Sequence, residues 1–125
     1  MPDLLAREAA SLVARLRLFT PARWAAEALP WGTRADMVHH LAQSFVTETT
    51  EPLPRLDSDL ALPDQLAVTA DDLVRTGLPS SDHVAHLLLH RRELLDEAVP
   101  AGLLAELGEE DERALLKRAR RICGV

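Results

Sequence analysis

SSDHVAHLLLHRRELLDEA, Ser80 to Ala98, is the stretch that decides the fold, because it joins the longest apolar run of the chain to three of its five histidines. At about 100° per residue, its apolar side chains fall within roughly 120° of one another, the width of a stripe that a helix buries against a core. The stripe contains Val84, Leu87, Leu88, Leu94, Leu95 and Ala98. The pattern predicts an amphipathic helix that packs on other helices.

The histidines of this helix lie at one edge of the apolar stripe. His83, His86 and His90, followed by Glu93 and Glu97, span roughly 80° of the same helical wheel. Because side chains at i and i+4 lie one turn apart on one face, His86 and His90 can both reach one metal ion. These two are the first candidates for metal ligands, with His83 and Glu93 as substitutes.

Length and composition predict a single domain of helices. A chain of 125 residues with 47% hydrophobic and 27% charged residues is long enough to bury a core, and its composition is not typical of disorder. Aromatic residues make up only 3%, while leucine and alanine dominate, which favours helices over sheets. We therefore expect an all-α fold, an irregular bundle of five to six helices in one domain spanning residues 1–125.

Prolines and capping residues set the expected boundaries of these helices. Signals for helix starts are Thr20 before Pro21 and Thr33 with Asp36, and signals for helix ends are Gly77 and Gly108. The expected helices span 4–18, 21–29, 33–47, 63–76, 80–98 and 109–122, with one or two turns over 101–107. Residues 51–63 contain three prolines and no helical period, so they predict an extended crossover.

Charge and cysteine content argue against several classes of function. The net charge of -6 opposes a nucleic-acid partner, because binding to phosphates requires clustered lysine and arginine. The single cysteine, Cys123, excludes an internal disulfide framework. No apolar run approaches the ~18 residues of a membrane span, and charged residues interrupt the first 20 residues. We expect a soluble, cytoplasmic protein without membrane contact.

A third metal ligand is expected from the adjacent histidines His39 and His40. On the wheel of the helix over 33–47, the apolar face contains Met37, Val38, Leu41, Phe45 and Val46. His40 points away from this face, toward solvent, whereas His39 lies at its edge and is better placed to turn inward. The wheel thus favours His39 over His40 as the partner of the pair.

Two segments resemble the metal-binding segments of the DinB-like helical bundles, a family that includes bacillithiol- and mycothiol-dependent transferases. These segments are MVHHLAQSF, Met37 to Phe45, and HLLLH, His86 to His90. In that family a histidine followed by leucine joins a His-x-x-x-His pair on a later helix. The resemblance implies a divalent metal, Zn²⁺ or Ni²⁺, bound by His40, His86 and His90. It also implies that the metal activates a thiol cofactor or water as a nucleophile.

A second resemblance covers Thr69 to Leu94, which is similar to the helix-turn-helix of bacterial transcription regulators. In that interpretation the second helix offers Ser81, Asp82, Ala85 and His86 to the major groove. Asp82 faces the phosphates unfavourably there, and the pI near 5.3 argues further against DNA.

Three hypotheses for function result. The first is a non-enzymatic protein that acts through a protein partner or as a homo-oligomer, because the chain has several amphipathic helices and no convergent catalytic motif. Ser81, Asp82 and His83, for example, are consecutive on a helix and diverge too strongly to form a triad. The second is a DinB-like, metal-dependent transferase or hydrolase that uses His86 and His90. The third is a DNA-binding regulator.

Overall fold

The computed structural model describes residues 2–46, 53–55, 58–76 and 81–123, and most of these residues are helical. The α-helices are α1 (Pro2–Leu16), α2 (Pro21–Ala25), α3 (Arg34–Ser44), α4 (Leu62–Thr76), α5 (Ser81–Leu95), α6 (Ala101–Leu107) and α7 (Glu112–Cys123). Strand β1 (Glu27–Ala28) pairs antiparallel with β2 (Gly32–Thr33). The predicted all-α class is confirmed, with seven α-helices in the described part rather than five to six.

Four helices form the centre of the bundle in the cyclic order α1, α4, α3, α5, since each packs against the two beside it. α7 packs on α5 as well, so α5 has helices on three sides. Residues 84–90 of α5 are consequently all buried. The predicted one-sided stripe is therefore too narrow, because α5 is the central helix of the fold and not a helix on its surface.

One face of α1 is apolar and buried. Its core residues are Leu5, Ala9, Leu12 and Leu16, with Phe19 following the helix. Trp24 of α2 is buried against Phe19, and the centroids of the two rings are 5.0 Å apart. The short α2 is thus held to the core by its tryptophan, and the buried apolar residues of the described part form one cluster.

The helix predicted over 21–29 is wrong beyond Ala25, where the chain turns into a hairpin. β1 and β2 pair there, and the Leu29–Pro30 peptide bond between them is cis. At the end of the hairpin Gly32 has φ +115°, a conformation that favours glycine. A Cβ atom at this position would lie 2.6 Å from Oδ2 of Asp36, so a side chain does not fit.

The predicted capping box at the start of α3 is confirmed. Thr33 Oγ1 accepts a hydrogen bond from the Asp36 backbone N–H at 3.2 Å, and Asp36 Oδ2 accepts one from the Thr33 N–H at 3.0 Å. The hydrogen bond from the Thr33 backbone N–H is the main reason why the pKa of the Asp36 carboxyl is lowered. The box fixes where α3 begins and therefore the direction in which its histidines project.

The described part of the crossover lies against α3 and α4. His39 Nε2 hydrogen-bonds the Leu53 carbonyl at 2.9 Å, Gln43 Oε1 accepts from the Leu53 N–H, and Gln65 Nε2 donates to the Pro54 carbonyl at 3.0 Å. The irregular segment ends earlier than residue 63, because a 3₁₀ turn spans Asp59–Ala61 and α4 begins at Leu62. Residues 47–52 and 56–57 lie outside the described residues, as does the helix end predicted at Gly77.

Other helix ends differ from the prediction by a few residues. α1 begins at Pro2 rather than residue 4, and α3 ends at Ser44 rather than residue 47. α5 ends at Leu95, since Asp96 adopts φ +52°. Gly108 terminates α6 in a left-handed conformation, as predicted. No helix in the described part of the chain is both long and apolar enough to cross a membrane.

Replacing Thr33 by alanine should lower the free energy of unfolding by about 1 kcal/mol, the usual effect of losing an N-cap side chain. The measurement is urea unfolding followed by circular dichroism. Thr33→Ser is the matched control, because it keeps the hydroxyl acceptor and should remain within about 0.5 kcal/mol of the wild type. Equal losses in both variants would contradict a capping role for the hydroxyl.

Candidate metal centre

His86 and His90 lie inside the bundle, one helical turn apart on α5. His90 is fully buried and His86 is 7% exposed, and their ring centroids are 4.6 Å apart. The sequence predicts them at the edge of an apolar stripe, where helices are normally half-exposed. They are buried instead because α5 is enclosed by its neighbours, with α3 packed against it.

α3 brings His40 to this pair. Nδ1 of His40 is 3.2 Å from Nε2 of His90, and the His40 ring centroid is 5.4 Å from the centroids of both other rings. Each of the three histidines offers a ring nitrogen, and these three atoms lie within 4.8 Å of one another. We call His40, His86 and His90 the histidine trio.

The prediction that His40 points toward solvent, with His39 better placed, is wrong. His40 is half-buried and meets α5, while His39 is used to hold Leu53 of the crossover. A helical wheel refers each side chain to the apolar face of its own helix. It contains no information on where a second helix lies beside that face, and α5 lies on the side of His40.

The two substitutes on α5 do not join the trio. The His83 ring packs edge-on to Phe45, with centroids 6.1 Å apart. The Glu93 carboxylate lies 3.7 Å from the Arg120 guanidinium, at the surface between α5 and α7. Of the six candidates named from the sequence, the structure brings together the three that the DinB-like resemblance selects.

Hydrogen bonds fix the arrangement of protons within the trio. His90 Nδ1 is 2.9 Å from the His86 carbonyl oxygen, which is only an acceptor, so this nitrogen carries the proton. His90 Nε2 is therefore unprotonated, and it accepts the hydrogen bond from Nδ1–H of His40. Such a bond from the remote ring nitrogen to a backbone carbonyl is typical of histidines that bind metals, because it orients the ring and fixes its tautomer.

The geometry fits a divalent metal ion. Two nitrogens bound to one tetrahedral ion at about 2.0–2.1 Å lie roughly 3.3 Å apart, close to the 3.2 Å between His40 Nδ1 and His90 Nε2. His86 Nε2 is buried and has no hydrogen-bond partner within the described ranges. A buried ring nitrogen without a partner is costly in an ordinary core, and a metal ion is a partner that satisfies it.

All three histidines are shifted toward the neutral form, which is the form that binds metals. Burial is the largest cause in each case. It lowers the pKa of His40, that of His86 to about 4 and that of His90 to about 3. Repulsion from neighbouring histidines lowers the pKa of each member further. At neutral pH the trio therefore presents lone pairs rather than positive charges.

Trp31 is a part of this site that sequence reasoning missed. It follows the cis Leu29–Pro30 bond in the hairpin, and its ring centroid is 5.0 Å from that of His90 and 6.0 Å from that of His40. The indole thus covers one side of the trio. The signal in the sequence is a tryptophan placed directly before the helix start that positions His40.

The geometry of α5 does not favour the recognition of DNA. Ala85 and His86, which the helix-turn-helix interpretation offers to the major groove, are buried. The Arg118 guanidinium binds Ser81 Oγ at 2.7 Å and Asp82 Oδ1 at 2.5 Å. The polar residues at the start of α5 are thus engaged with α7. The turn of that interpretation, which contains Gly77 and Pro79, lies outside the described residues.

Comparison with known proteins gives no match. No protein-family model, no curated protein and no solved structure matches the chain. The resemblance to DinB-like bundles therefore stays a prediction.

We expect the metal-free protein to lose stability as the pH falls from about 7 to about 5. Histidines near pKa 6.5 in the unfolded chain take up protons in this range, whereas His86 and His90 stay neutral in the folded state. Their lowered pKa values thus favour the folded state fully above about pH 6.5, and this advantage is lost toward pH 4 to 3. For His90 alone the loss between pH 7 and 5 is on the order of 2 kcal/mol.

Urea unfolding at several pH values measures this effect. His90→Gln should be less stable at neutral pH but should show a flatter pH dependence, since it lacks one of the buried groups. Parallel pH curves for the variant and the wild type would contradict the assignment to His90. Thr33→Ser is the control, since it removes no titratable group, and its pH dependence should follow the wild type.

Proposed function

We propose that the protein binds one divalent transition-metal ion, Zn²⁺ or Ni²⁺, through His40, His86 and His90. We further propose that it is a metal-dependent transferase or hydrolase acting on a small molecule. The observation that carries the proposal is the convergence of three neutral imidazoles from two helices within 4.8 Å in the bundle interior. Imidazole nitrogens suit zinc and nickel rather than the oxygen-seeking magnesium and calcium.

The number of protein ligands supports a catalytic rather than a structural role. Structural zinc sites are closed by four protein ligands, whereas catalytic sites use three and leave a position for water or substrate. Within the described residues the cluster contains three ligands. A divalent ion held there supplies a nucleophile, because it lowers the pKa of a bound water or thiol.

The chain itself contributes orientation and exclusion of water. The His86 carbonyl holds the ring of His90, the capping box at Thr33 and Asp36 fixes the start of α3, and Trp31 shields one side of the rings. His40 is the least buried member, so access from solvent is expected on its side. These features correspond to a rigid ligand set with one approach for a substrate.

The hypothesis of a non-catalytic protein that acts through a partner or by self-association stays a prediction. No contact in the described part of the structure bears on it. The experiment below distinguishes this hypothesis from the proposed metal site, since association alone requires no metal.

Metal analysis after purification without chelator should find about one Zn²⁺ or Ni²⁺ per chain. Adding the metal to chelator-treated protein should raise its melting temperature, because ligands that bind only the folded state stabilise it. Each of His40→Gln, His86→Gln and His90→Gln should lose the bound ion and the thermal shift. Acidification should release the ion only as the pH approaches the pKa values of His86 and His90, about 4 and 3, because protons begin to compete for these imidazoles there.

The matched control is His39→Gln, which changes the residue next to His40 but leaves the trio intact. It should bind metal like the wild type. Equal metal binding in His39→Gln and in all three trio variants would place the ion elsewhere. No bound metal and no thermal shift in the wild type would remove the basis for a metal-dependent enzyme.

A further inference from the structure

A cavity of about 260 Å³ lies beside the histidine trio. The hairpin, the start of α3 and the end of α5 form its walls, and its lining includes Glu27, Trp31, Arg34, Met37, Glu93 and Asp96. Trp31 lines this cavity and also packs against His40 and His90. The cavity is smaller than the roughly 300–1,000 Å³ of pockets that hold drug-sized ligands, so it suits a small molecule.

Arg34 is the unusual residue of this cavity. It is half-buried, yet within the described residues its guanidinium forms no ion pair and no hydrogen bond. The half-buried Arg91, Arg92 and Arg118 each lie within 4 Å of a glutamate carboxylate, with N–O distances of 3.7, 2.8 and 2.9 Å. A guanidinium without an anion is a ready site for a carboxylate, which it binds through two parallel hydrogen bonds.

Three carboxylates line the same cavity. Glu27, Glu93 and Asp96 are exposed, so they lie toward the solvent side, whereas Arg34 is half-buried. Two of them already have arginine partners: Glu93 lies 3.7 Å from the Arg120 guanidinium, and Asp96, which is 91% exposed, lies 3.2 Å from that of Arg92. A guanidinium without an ion pair and carboxylates at the solvent side of the same cavity favour a ligand that carries both an anionic and a cationic group over a dianion or a dication.

We propose that this cavity binds a small zwitterion, whose carboxylate pairs with Arg34 and whose ammonium group pairs with Glu93 and Asp96. That the zwitterion is the substrate of the histidine trio rests on the proposed function, because it requires a metal beside Trp31. Binding of the zwitterion itself requires no metal. The chemistry of the lining thus indicates the substrate class, a molecule with both an amino and a carboxylate group.

Three five-carbon probes test this selectivity. They are 5-aminopentanoate, which is a zwitterion, glutarate, which is a dianion, and 1,5-diaminopentane, which is a dication. Calorimetric titration of the full chain should give saturable binding of 5-aminopentanoate, with the other two probes weaker by about tenfold or more, since each places one like charge in the cavity. Strongest binding of glutarate or of the diamine, or no saturable binding of any probe, would overturn the proposal.

Variants assign the two ends of the ligand. Arg34→Gln should weaken 5-aminopentanoate by about tenfold or more and remove its advantage over the diamine, as loss of a charge-assisted hydrogen bond implies. Glu93→Gln should weaken it similarly and reduce the discrimination against glutarate. Arg113→Gln, a change at an exposed arginine of α7, is the matched control and should bind like the wild type. Unchanged binding in both Arg34→Gln and Glu93→Gln would overturn the assignment.

Titrations of chelator-treated protein and of His86→Gln, which changes a trio member that does not pack on Trp31, separate this proposal from the metal site. Binding of 5-aminopentanoate should persist in both, because the cavity residues remain in place. If the zwitterion binds but metal does not, the ligand class is supported and the metal-dependent function fails. If metal binds and the zwitterion does not, the metal site is supported and the zwitterion proposal is overturned.

Discussion

The enclosure of α5 is the constraint on which the rest of the structure depends. A helix with neighbours on three sides must bury residues all around its circumference, and residues 84–90 are all buried. Apolar side chains satisfy that requirement through packing alone. His86 and His90 do not, because both nitrogens of the fully buried His90 ring and Nε2 of His86 lie where water cannot reach them. The position of α3 and the tautomers of the histidines follow from how those nitrogens find partners.

The hydrogen bonds of the trio form a short chain that leaves one buried ring nitrogen without a partner in the described part of the structure. The His86 carbonyl accepts from His90 Nδ1–H, and His90 Nε2 accepts from His40, which ties α3 to α5 in the interior. His86 Nε2 has no partner in the described part of the structure. An unpaired buried acceptor costs about 1–3 kcal/mol, and leucine at the same position would avoid that cost. Core stability therefore does not explain the trio, and this is why we propose a bound cation as the partner of His86 Nε2.

Local signals predicted much of the fold, because they act within a few residues. The capping box of Thr33 and Asp36 and the stop at Gly108 are confirmed, because short-range chemistry decides them. The end of α2 was not predictable from such signals, since it depends on a hairpin that pairs residues 27–28 with 32–33. For the site, spacing along α5 found His86 and His90. The position of His40 depends on how α3 and α5 cross, which the spacing along one helix does not reveal. Only the resemblance to DinB-like bundles selected His40.

The members of the trio differ in which ring nitrogen carries a proton and in how readily that proton leaves. In the metal-free arrangement the His40 Nδ1 proton occupies the space between His40 and His90, where an ion bound by both nitrogens would lie. Binding the ion thus requires that proton to leave Nδ1, while His90 keeps its own proton on the His86 carbonyl. A second proton on the trio is opposed by burial and by repulsion between neighbouring rings. His40 is the least buried of the three and exchanges its proton with solvent most readily, so in the proposed metal site it would be the histidine through which metal binding and pH are coupled.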